Sequence, residues 1–451
     1  MAEVLDATLT PGKIDLVAGW IGRQRWYAAK GQAPRLTRLR GFRFDDPAGE
    51  VGIETLVLRD DATTPPTVYQ VPLTYRGAPL VGAERALVGT MEHSVLGTRY
   101  VYDGPHDPVY VAALWRFIQG RAQAQAAGVS NTVEPAFSGQ TVPGGYAAPS
   151  GEITASRVLG GEQSNTSIVC GVADLGPVIV KVFRTLSPGA NPDVVLQPAL
   201  AAAGCEHVPT TLGWVSGQWA DGQEEGHLAF AQEFLAGTQD AWRVATESVA
   251  AGSDLTGGAA QLGEVVAQIH QILAEAFPTR RPTAEDRVTL VTGLRERFRA
   301  AADEVPELVD FAAAVHSRYD QALQASWPSL QRIHADLHLG QVIAHPSKGW
   351  VVLDFEGEPM RPLAERAQPD LPMRDLAGML RSFDYAAGAY LQSHPEACLL
   401  YTSDAADERS SGDLGGRRII KKKTREPSTR QTDKEIYNQH KGRNTAHTKH
   451  P

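Results

Sequence analysis

Hydrophobic residues change their spacing along this 451-residue chain, and the changes divide it into regions. Near the start, residues 16–21 predict a short helix running into Arg25-Trp26-Tyr27. Residues 53–58 and 68–73 predict strands, parted by Asp- and Pro-rich turns. We expect a small α+β cap over residues 1–90. Residues 91–150 are mixed, with a helix predicted near 111–119 and a Gly/Pro/Ser-rich loop over 137–151. Strand-like runs return at 153–158, 166–171, 178–183 and 228–235. Residues 91–235 are therefore expected to hold an intermediate segment and a strand-rich lobe. Beyond them the period turns helical: Leu262, Val265, Val266, Ile269, His270 and Leu273 share one face. Further helices are predicted at 287–302, 308–325 and 373–390, making 236–397 a second, helical lobe.

Composition changes this picture at the C-terminal end. The last 54 residues carry 12 Lys+Arg against 7 Asp+Glu, whereas the preceding 397 carry 31 against 45. Lysine is scarce in the body, which has only Lys13, Lys30, Lys181 and Lys348. Residues 398–451 are polar, lack a sustained period and begin like a translated sequencing adapter. They are expected to be non-native or disordered, and Arg417 to Lys423 is not read as a nucleic-acid patch. The acidic body argues against nucleic-acid binding. No apolar run of about 18 residues predicts a membrane span. Neither a secretory signal nor a disulfide or metal spacing among Cys170, Cys205 and Cys398 is visible, so a cytoplasmic protein is expected.

The chemistry concentrates in His334-Ala335-Asp336-Leu337-His338-Leu339-Gly340-Gln341 and in Val352-Leu353-Asp354-Phe355-Glu356. Phosphoryl transfer needs one carboxylate to take the acceptor proton, and an amide oxygen and a second carboxylate to hold Mg²⁺ against nucleotide phosphates. Asp336 fits the first role; Gln341 and Asp354 fit the second. Glu356 is either a further metal ligand or a water-facing acid. His334 is expected to brace the loop, and His338 either to brace it or to touch substrate.

Lys181 lies within the apolar run 178–183, where an ammonium group needs anions to face. The phosphates of ATP would supply them. Upstream, Gly160-Gly161-Glu162-Gln163-Ser164-Asn165-Thr166-Ser167 lies between two predicted strands. Its small and polar residues suit a hairpin that approaches phosphates, with Gln163, Ser164, Asn165, Thr166 and Ser167 as donors. Glu233 and Leu235, at a strand-to-loop join, are expected to offer backbone groups to adenine. No G-x-x-x-x-G-K-[ST] motif occurs, which argues against a P-loop enzyme.

Taken together, these stretches resemble the maltokinases, relatives of aminoglycoside and choline kinases within the protein-kinase-like fold. Further support comes from Gln24-Arg25-Trp26-Tyr27-Ala28-Ala29-Lys30-Gly31, Gln232-Glu233-Phe234-Leu235, Asp354-Phe355-Glu356-Gly357-Glu358-Pro359 and Arg374-Asp375-Leu376-Ala377-Gly378-Met379-Leu380-Arg381-Ser382-Phe383-Asp384-Tyr385. The resemblance implies an α+β fold: a bilobal kinase with an N-terminal cap. It implies phosphorylation of maltose by ATP at the anomeric hydroxyl, with trehalose synthase as the usual functional neighbour. Arg374, Asp375, Arg381 and Tyr385 are candidate sugar contacts, although a polar helix face explains them equally well. Two departures stand out. Where the family tends to place a helix glutamate after Asn-Pro-Asp, Asn191-Pro192-Asp193 leads to Val194, Val195 and Leu196. Either another acid pairs with Lys181 or Lys181 is held less firmly. The family's closing helices are also missing after residue 397, so a destabilised lobe with exposed core surface is expected.

Overall fold

The computed structural model describes residues 5–142, 151–160, 164–359 and 361–394. Within them, two large antiparallel sheets are followed by a mainly helical lobe, giving the expected α+β fold with a cap and two lobes. Helix α1 (Lys13–Ile21) buries Val17, Trp20 and Ile21, spaced three and four residues apart on one face. It packs on a sheet of β1 (Leu36–Phe44), β2 (Gly52–Asp60), β3 (Thr67–Arg76), β4 (Leu87–His93) and β5 (Gly97–Asp103). Their order is β4-β5-β3-β2-β1, with short strands flanking both edges. Strand β4 runs through residue 90, so the cap sheet continues beyond the boundary expected there.

Strand β2 shows how this sheet joins the rest. Leu56 and Leu58 pack with Val17 and Trp20 on one side. Ile53 and Val57, on the opposite face by strand alternation, pack with α2 (Pro108–Ile118). Asp107 caps α2 by accepting the Val109 N–H at 2.9 Å, with Pro108 at the first helical position. Arg76 holds the Asp107 carboxylate through two bonds of 2.7 Å. Tyr110, Leu114, Phe117 and Ile118 share a core with Phe42 and Phe44 from the cap and with Val180 and Phe230 from the second sheet. Each fully buried aromatic contributes about 1.5–3 kcal/mol relative to exposure. The cap and the second sheet therefore rest on a common core.

The second sheet comprises β6 (Phe137–Thr141), β7 (Ile153–Val158), β8 (Asn165–Val172), β9 (Gly176–Phe183), β10 (Thr211–Trp219) and β11 (Glu224–Glu233). Its order is β6-β10-β11-β9-β8-β7. Strand β6 occupies part of the predicted loop; its sequence Phe-Ser-Gly-Gln-Thr lacks an apolar alternation, and pairing with β10 makes it a strand. Helix α3 (Pro192–Ala202) follows β9.

In the second lobe, α4 (Ala241–Ala251) and α5 (Thr256–Ala276) bury apolar stripes. Helices α6 (Ala284–Glu304) and α7 (Ala312–Gln324) bury little, with only Val291 inside. A 3-10 segment, Pro306–Phe311, precedes α7 where one continuous helix is predicted. The hairpin β12 (Val342–His345) and β13 (Gly349–Val352) leads into the Asp354 segment, and α8 (Met373–Ser393) closes the described lobe. Met373, Leu380 and Tyr385 are exposed on α8. The compact unit ends at Gln392; the described residues after it are the helix end at Ser393 and the adjoining His394. The expected tail, 398–451, lies outside the described residues. No described helix is long and apolar enough to cross a membrane.

Candidate active site

Lys181 sits in β9 with its side chain buried, and an unpaired ammonium there would be costly. Its Nζ donates to Asp193 Oδ2 at 2.8 Å and to Asp354 Oδ1 at 2.9 Å. Glu356 Oε1 stands 3.9 Å away. Burial alone would lower the lysine's pKa, but these three carboxylates outweigh it and hold the ammonium well above its ordinary value. Asp193 answers the question left by the missing helix glutamate. It lies in the first turn of α3, wholly buried, and its other oxygen accepts the Phe355 N–H at 3.0 Å. Asn191 caps that helix by accepting the Asp193 N–H at 2.9 Å. Asp193 thus ties the lysine strand to the Asp354 segment, a role that only its position after Asn-Pro at a helix start foreshadows.

Asp354 follows β13 in the left-handed region, φ 63°, as does Gly357 at φ 74°. Aspartate tolerates this conformation better than most residues, and such strain often marks functional segments. Burial pushes the Asp354 carboxyl up, but the Lys181 charge and hydrogen bond prevail and leave it below its usual range. The Gln341 Nε2 donates to Asp354 Oδ2 at 3.3 Å. Glu356 does not face water. Its largely buried side chain accepts from Asn165 Nδ2 at 2.9 Å, and burial, reinforced by Asp354, raises its pKa to about 8.

Asp193, Asp354 and Glu356 place ligand oxygens within 4.8 Å of one another. This all-oxygen set, with the Gln341 amide beside it, suits a hard divalent ion. Lys181 already shows that the group attracts a cation. The residues therefore fit Mg²⁺, which Asp354, Gln341 and Glu356 would hold; Asp193, absent from the sequence-based set, lies in the same group with its oxygens on Lys181 and the Phe355 N–H.

Asp336 is half-buried in the loop before the turn Leu339–Gln341. Burial raises its pKa; His338 and His334 oppose the shift, while Glu358 and Asp354 add to it. The loop is braced from beneath. His334, 1% exposed, bonds through Nε2 to the Leu353 carbonyl at 2.8 Å and rests on the Phe355 ring. Its Nδ1 accepts the Asp336 N–H at 3.3 Å. Asp375 accepts from the N–H groups of His334 and Ala335 at 3.0 and 2.9 Å, and contacts His270 Nε2 at 2.8 Å. Ser382 accepts the Leu339 N–H. Gly378 lets α8 approach closely, since a Cβ there would meet the Leu337 carbonyl oxygen at 2.5 Å.

Several expected contacts fall elsewhere. Asp375 is 1% exposed and braces the loop, so it is not available to a sugar. Tyr385 is exposed beside Arg381 and does not line the cleft. Thr166 and Ser167 are buried within β8, not displayed on a hairpin; Thr166 Oγ1 accepts from Arg184 Nε at 2.8 Å. Asn165 points its amide to Glu356. Ser164 is exposed at the turn, and Gln163 lies outside the described residues. Glu233 spends its N–H on the Thr210 carbonyl, which removes that backbone donor from the expected adenine contacts, and its carboxylate binds Lys348 and Thr210. Leu235 is buried, with its carbonyl accepting the Thr238 hydroxyl.

Arg374, Arg381 and His338 do line a cleft of about 1110 Å³ that reaches from Asp336 towards α6. His338 Nδ1 accepts the Gly340 N–H at 3.0 Å, so the ring caps its own loop while facing the cleft. Carboxylates along the walls are matched by arginines: Arg374 pairs with Glu358 at 2.6 Å and Asp370 at 2.8 Å, and Arg280 with Asp286 at 2.6 Å. Sequence reasoning missed Asp193, His270 and Ser382. His270 carried a signal, as an ionisable residue within an apolar helix face.

Residues 156–395 match the model of the phosphotransferase enzyme family, and residues 20–107 match that of the maltokinase N-terminal cap domain. A glucosamine kinase of Streptacidiphilus jiangxiensis is 28% identical over 256 residues, covering 54% of this chain and 57% of that protein. A glucosamine kinase of Mycolicibacterium smegmatis (strain ATCC 700084 / mc(2)155) is 29% identical over 249 residues, 50% of this chain and 58% of that protein. The chain thus spans little more than half the length of these curated relatives. A solved structure of a glucosamine kinase in complex with glucosamine, ADP and inorganic phosphate superposes with a TM-score of 0.55 at 21% identity, covering 81% of this chain and 77% of that one. That likeness supports the shared fold.

Proposed function

Since the chain belongs to the phosphotransferase enzyme family, we propose that it transfers the γ-phosphoryl group of ATP to a sugar hydroxyl, with maltose as the acceptor and its anomeric oxygen as the nucleophile. The observation that carries this reading is the 2.9 Å bond between Lys181 of the strand-rich lobe and Asp354, which follows the hairpin bearing Gln341 near Asp336. One bond joins the residue that would face nucleotide phosphates to the carboxylate that would hold their metal ion, on the segment next to the Asp336 loop.

In this reading Asp336 accepts the hydroxyl proton as the new O–P bond forms. The bond from the γ-phosphorus to the bridging oxygen breaks, and ADP leaves with that electron pair. Burial raises the pKa of Asp336 above the ordinary carboxylate value, in the direction that suits a base. Mg²⁺, held by Asp354, Gln341 and Glu356, would neutralise phosphate charge. Lys181 orients the phosphates, and Asp193 holds Lys181 in place.

Maltose is favoured over a cationic acceptor by the cleft itself. Glu358, Asp370 and Asp286 are matched by Arg374 and Arg280, which lessens the carboxylate field that an amino sugar or choline would want. The maltokinase-type cap and the resemblance in the Asp336 and Asp354 motifs agree, and a link to trehalose synthase goes with that assignment. A second reading, glucosamine as acceptor, draws support from the names of the two curated relatives. Phosphate transfer to maltose, glucose, glucosamine, choline and kanamycin, each with Mg·ATP, separates these. Preference for maltose is expected; a higher kcat/KM on glucosamine would replace maltose in the assignment. Asp336→Asn is expected to lower kcat by about 10²–10⁴ with nucleotide affinity kept, and unchanged turnover would sink the base assignment.

A further inference from the structure

The cap touches the proposed phosphoryl-transfer cleft through a chain of two hydrogen bonds. Arg25, in the loop after α1, donates from Nη2 to the Asn165 carbonyl at 2.9 Å. Asn165 opens β8 and donates from its amide to Glu356 Oε1 at 2.9 Å. Arg25 lies 140 positions before Asn165, which in turn lies 191 before Glu356, so three distant parts of the chain meet here. The next residue of each segment repeats the connection. Arg184, wholly buried, donates to Thr166, binds Asp103 of β5 at 2.6 Å and lies over the Trp26 ring at 4.9 Å. Arg25 thus meets Asn165 directly, and its neighbour Trp26 is linked to Thr166 through Arg184, both at the start of β8.

Glu356 is the carboxylate this chain controls. Asp193 and Asp354 contact Lys181 at 2.8 and 2.9 Å, whereas Glu356 stands off at 3.9 Å. The Asn165 amide holds one of its oxygens, and Arg366 Nη1 fixes its main-chain carbonyl at 2.9 Å. Without the amide, the Glu356 side chain, 3.9 Å from the ammonium group, would be free to accept a hydrogen bond from Lys181 and fill the space that phosphates need. We propose that Arg25 is a positioning residue of the cleft: by holding the Asn165 carbonyl it sets the Asn165 amide against Glu356 and keeps that carboxylate off Lys181. The cap is then part of the phosphoryl-transfer unit and not an appended module. This inference rests on the phosphoryl-transfer reading above.

The test uses the full chain. Arg25→Ala, Asn165→Ala and the double variant are compared in kcat and in KM for ATP, and by hydrogen exchange over residues 353–359 without nucleotide. Each single variant is expected to raise KM for ATP about fivefold, with the double no worse than either, because both act on one path. Arg25→Lys, which keeps a donor, is expected to recover part of the loss. Exchange over 353–359 is expected to rise while that of α5 stays constant. Wild-type KM and exchange in Arg25→Ala, or effects that multiply in the double variant, would overturn the relay. Should Arg25→Ala not fold, Asn165→Asp decides: it keeps the shape but sets a carboxylate against Glu356, and a wild-type KM there would also overturn it. Unchanged turnover in Asp336→Asn would instead bring down the underlying reading, and the exchange measurement would still judge the relay.

Discussion

The two sides of the proposed cleft are built in opposite ways. On the nucleotide side, Lys181, Asp193 and Asp354 form short bonds in a largely buried group, above a core that the cap and the second sheet share. On the acceptor side, α6 buries Val291 alone, α7 buries nothing, and the walls are arginine–carboxylate pairs open to water. Buried charges must keep their partners, so the first side tolerates little change. Exposed pairs contribute little to stability, so the second can be rewritten without unfolding the protein.

The largest effect should come from the rigid side. Asp193→Ala leaves the Phe355 N–H without its acceptor and Lys181 with one close carboxylate fewer. Because Asp354 and Glu356 remain, a loss of about 3 kcal/mol is expected, at the lower end for breaking a buried pair. Thermal or urea unfolding measures it, and a wild-type midpoint would remove the contrast between the two sides. Asp375→Asn tests the floor of the acceptor side. One oxygen that now receives backbone N–H groups would become a donor facing a donor, costing about 1–3 kcal/mol. We expect kcat to fall and KM for ATP to hold; the reverse split would assign Asp375 to nucleotide binding.

Arg374→Ala probes the open wall. A stability change of about 1 kcal/mol or less is expected. The freed Glu358 and Asp370 carboxylates should shift preference from maltose towards glucosamine, read as the ratio of kcat/KM values. A ratio that does not move would take Arg374 out of acceptor selection. The smallest effect concerns pH. Burial lowers the His227 pKa to about 4, and its neutral ring accepts the Asn191 N–H at the start of α3. Unfolded, the ring would titrate near the ordinary value of about 6.5. The unfolded state thus binds more protons between these values, and stability falls as pH drops from about 6.5 to 4. His227→Gln should flatten unfolding midpoints across that window; an unchanged slope would assign the acid sensitivity to other groups.

Local pattern made some of this legible in advance. Strand β7 was readable from its alternation, and β8, β9 and α5 to within a few residues at each end. Strand β6 was not, because its polar sequence becomes a strand only by pairing with β10. Residue 90 looked like a boundary, yet β4 crosses it, since hairpin pairing with β5 and not composition sets the sheet's extent. Asp336, Gln341 and Asp354 could be proposed as a set because they lie within 18 positions of one another. Thr166 and Ser167 were misread: their polarity suggested phosphate donors, whereas strand pairing turns them into the core.

What the sequence determined by itself was the class of chemistry, a phosphotransferase, because Asp336, the Gln341–Asp354 pair and Lys181 are residue types with few other reasons to recur at such spacing. Only the tertiary structure decided which groups face one another: Asp193 against Lys181, Asn165 against Glu356, Asp375 beneath the Asp336 loop. Those choices depend on strand register and helix approach. A one-residue change of register turns a side chain to the opposite face, and no local pattern records which distant segment will be there to meet it.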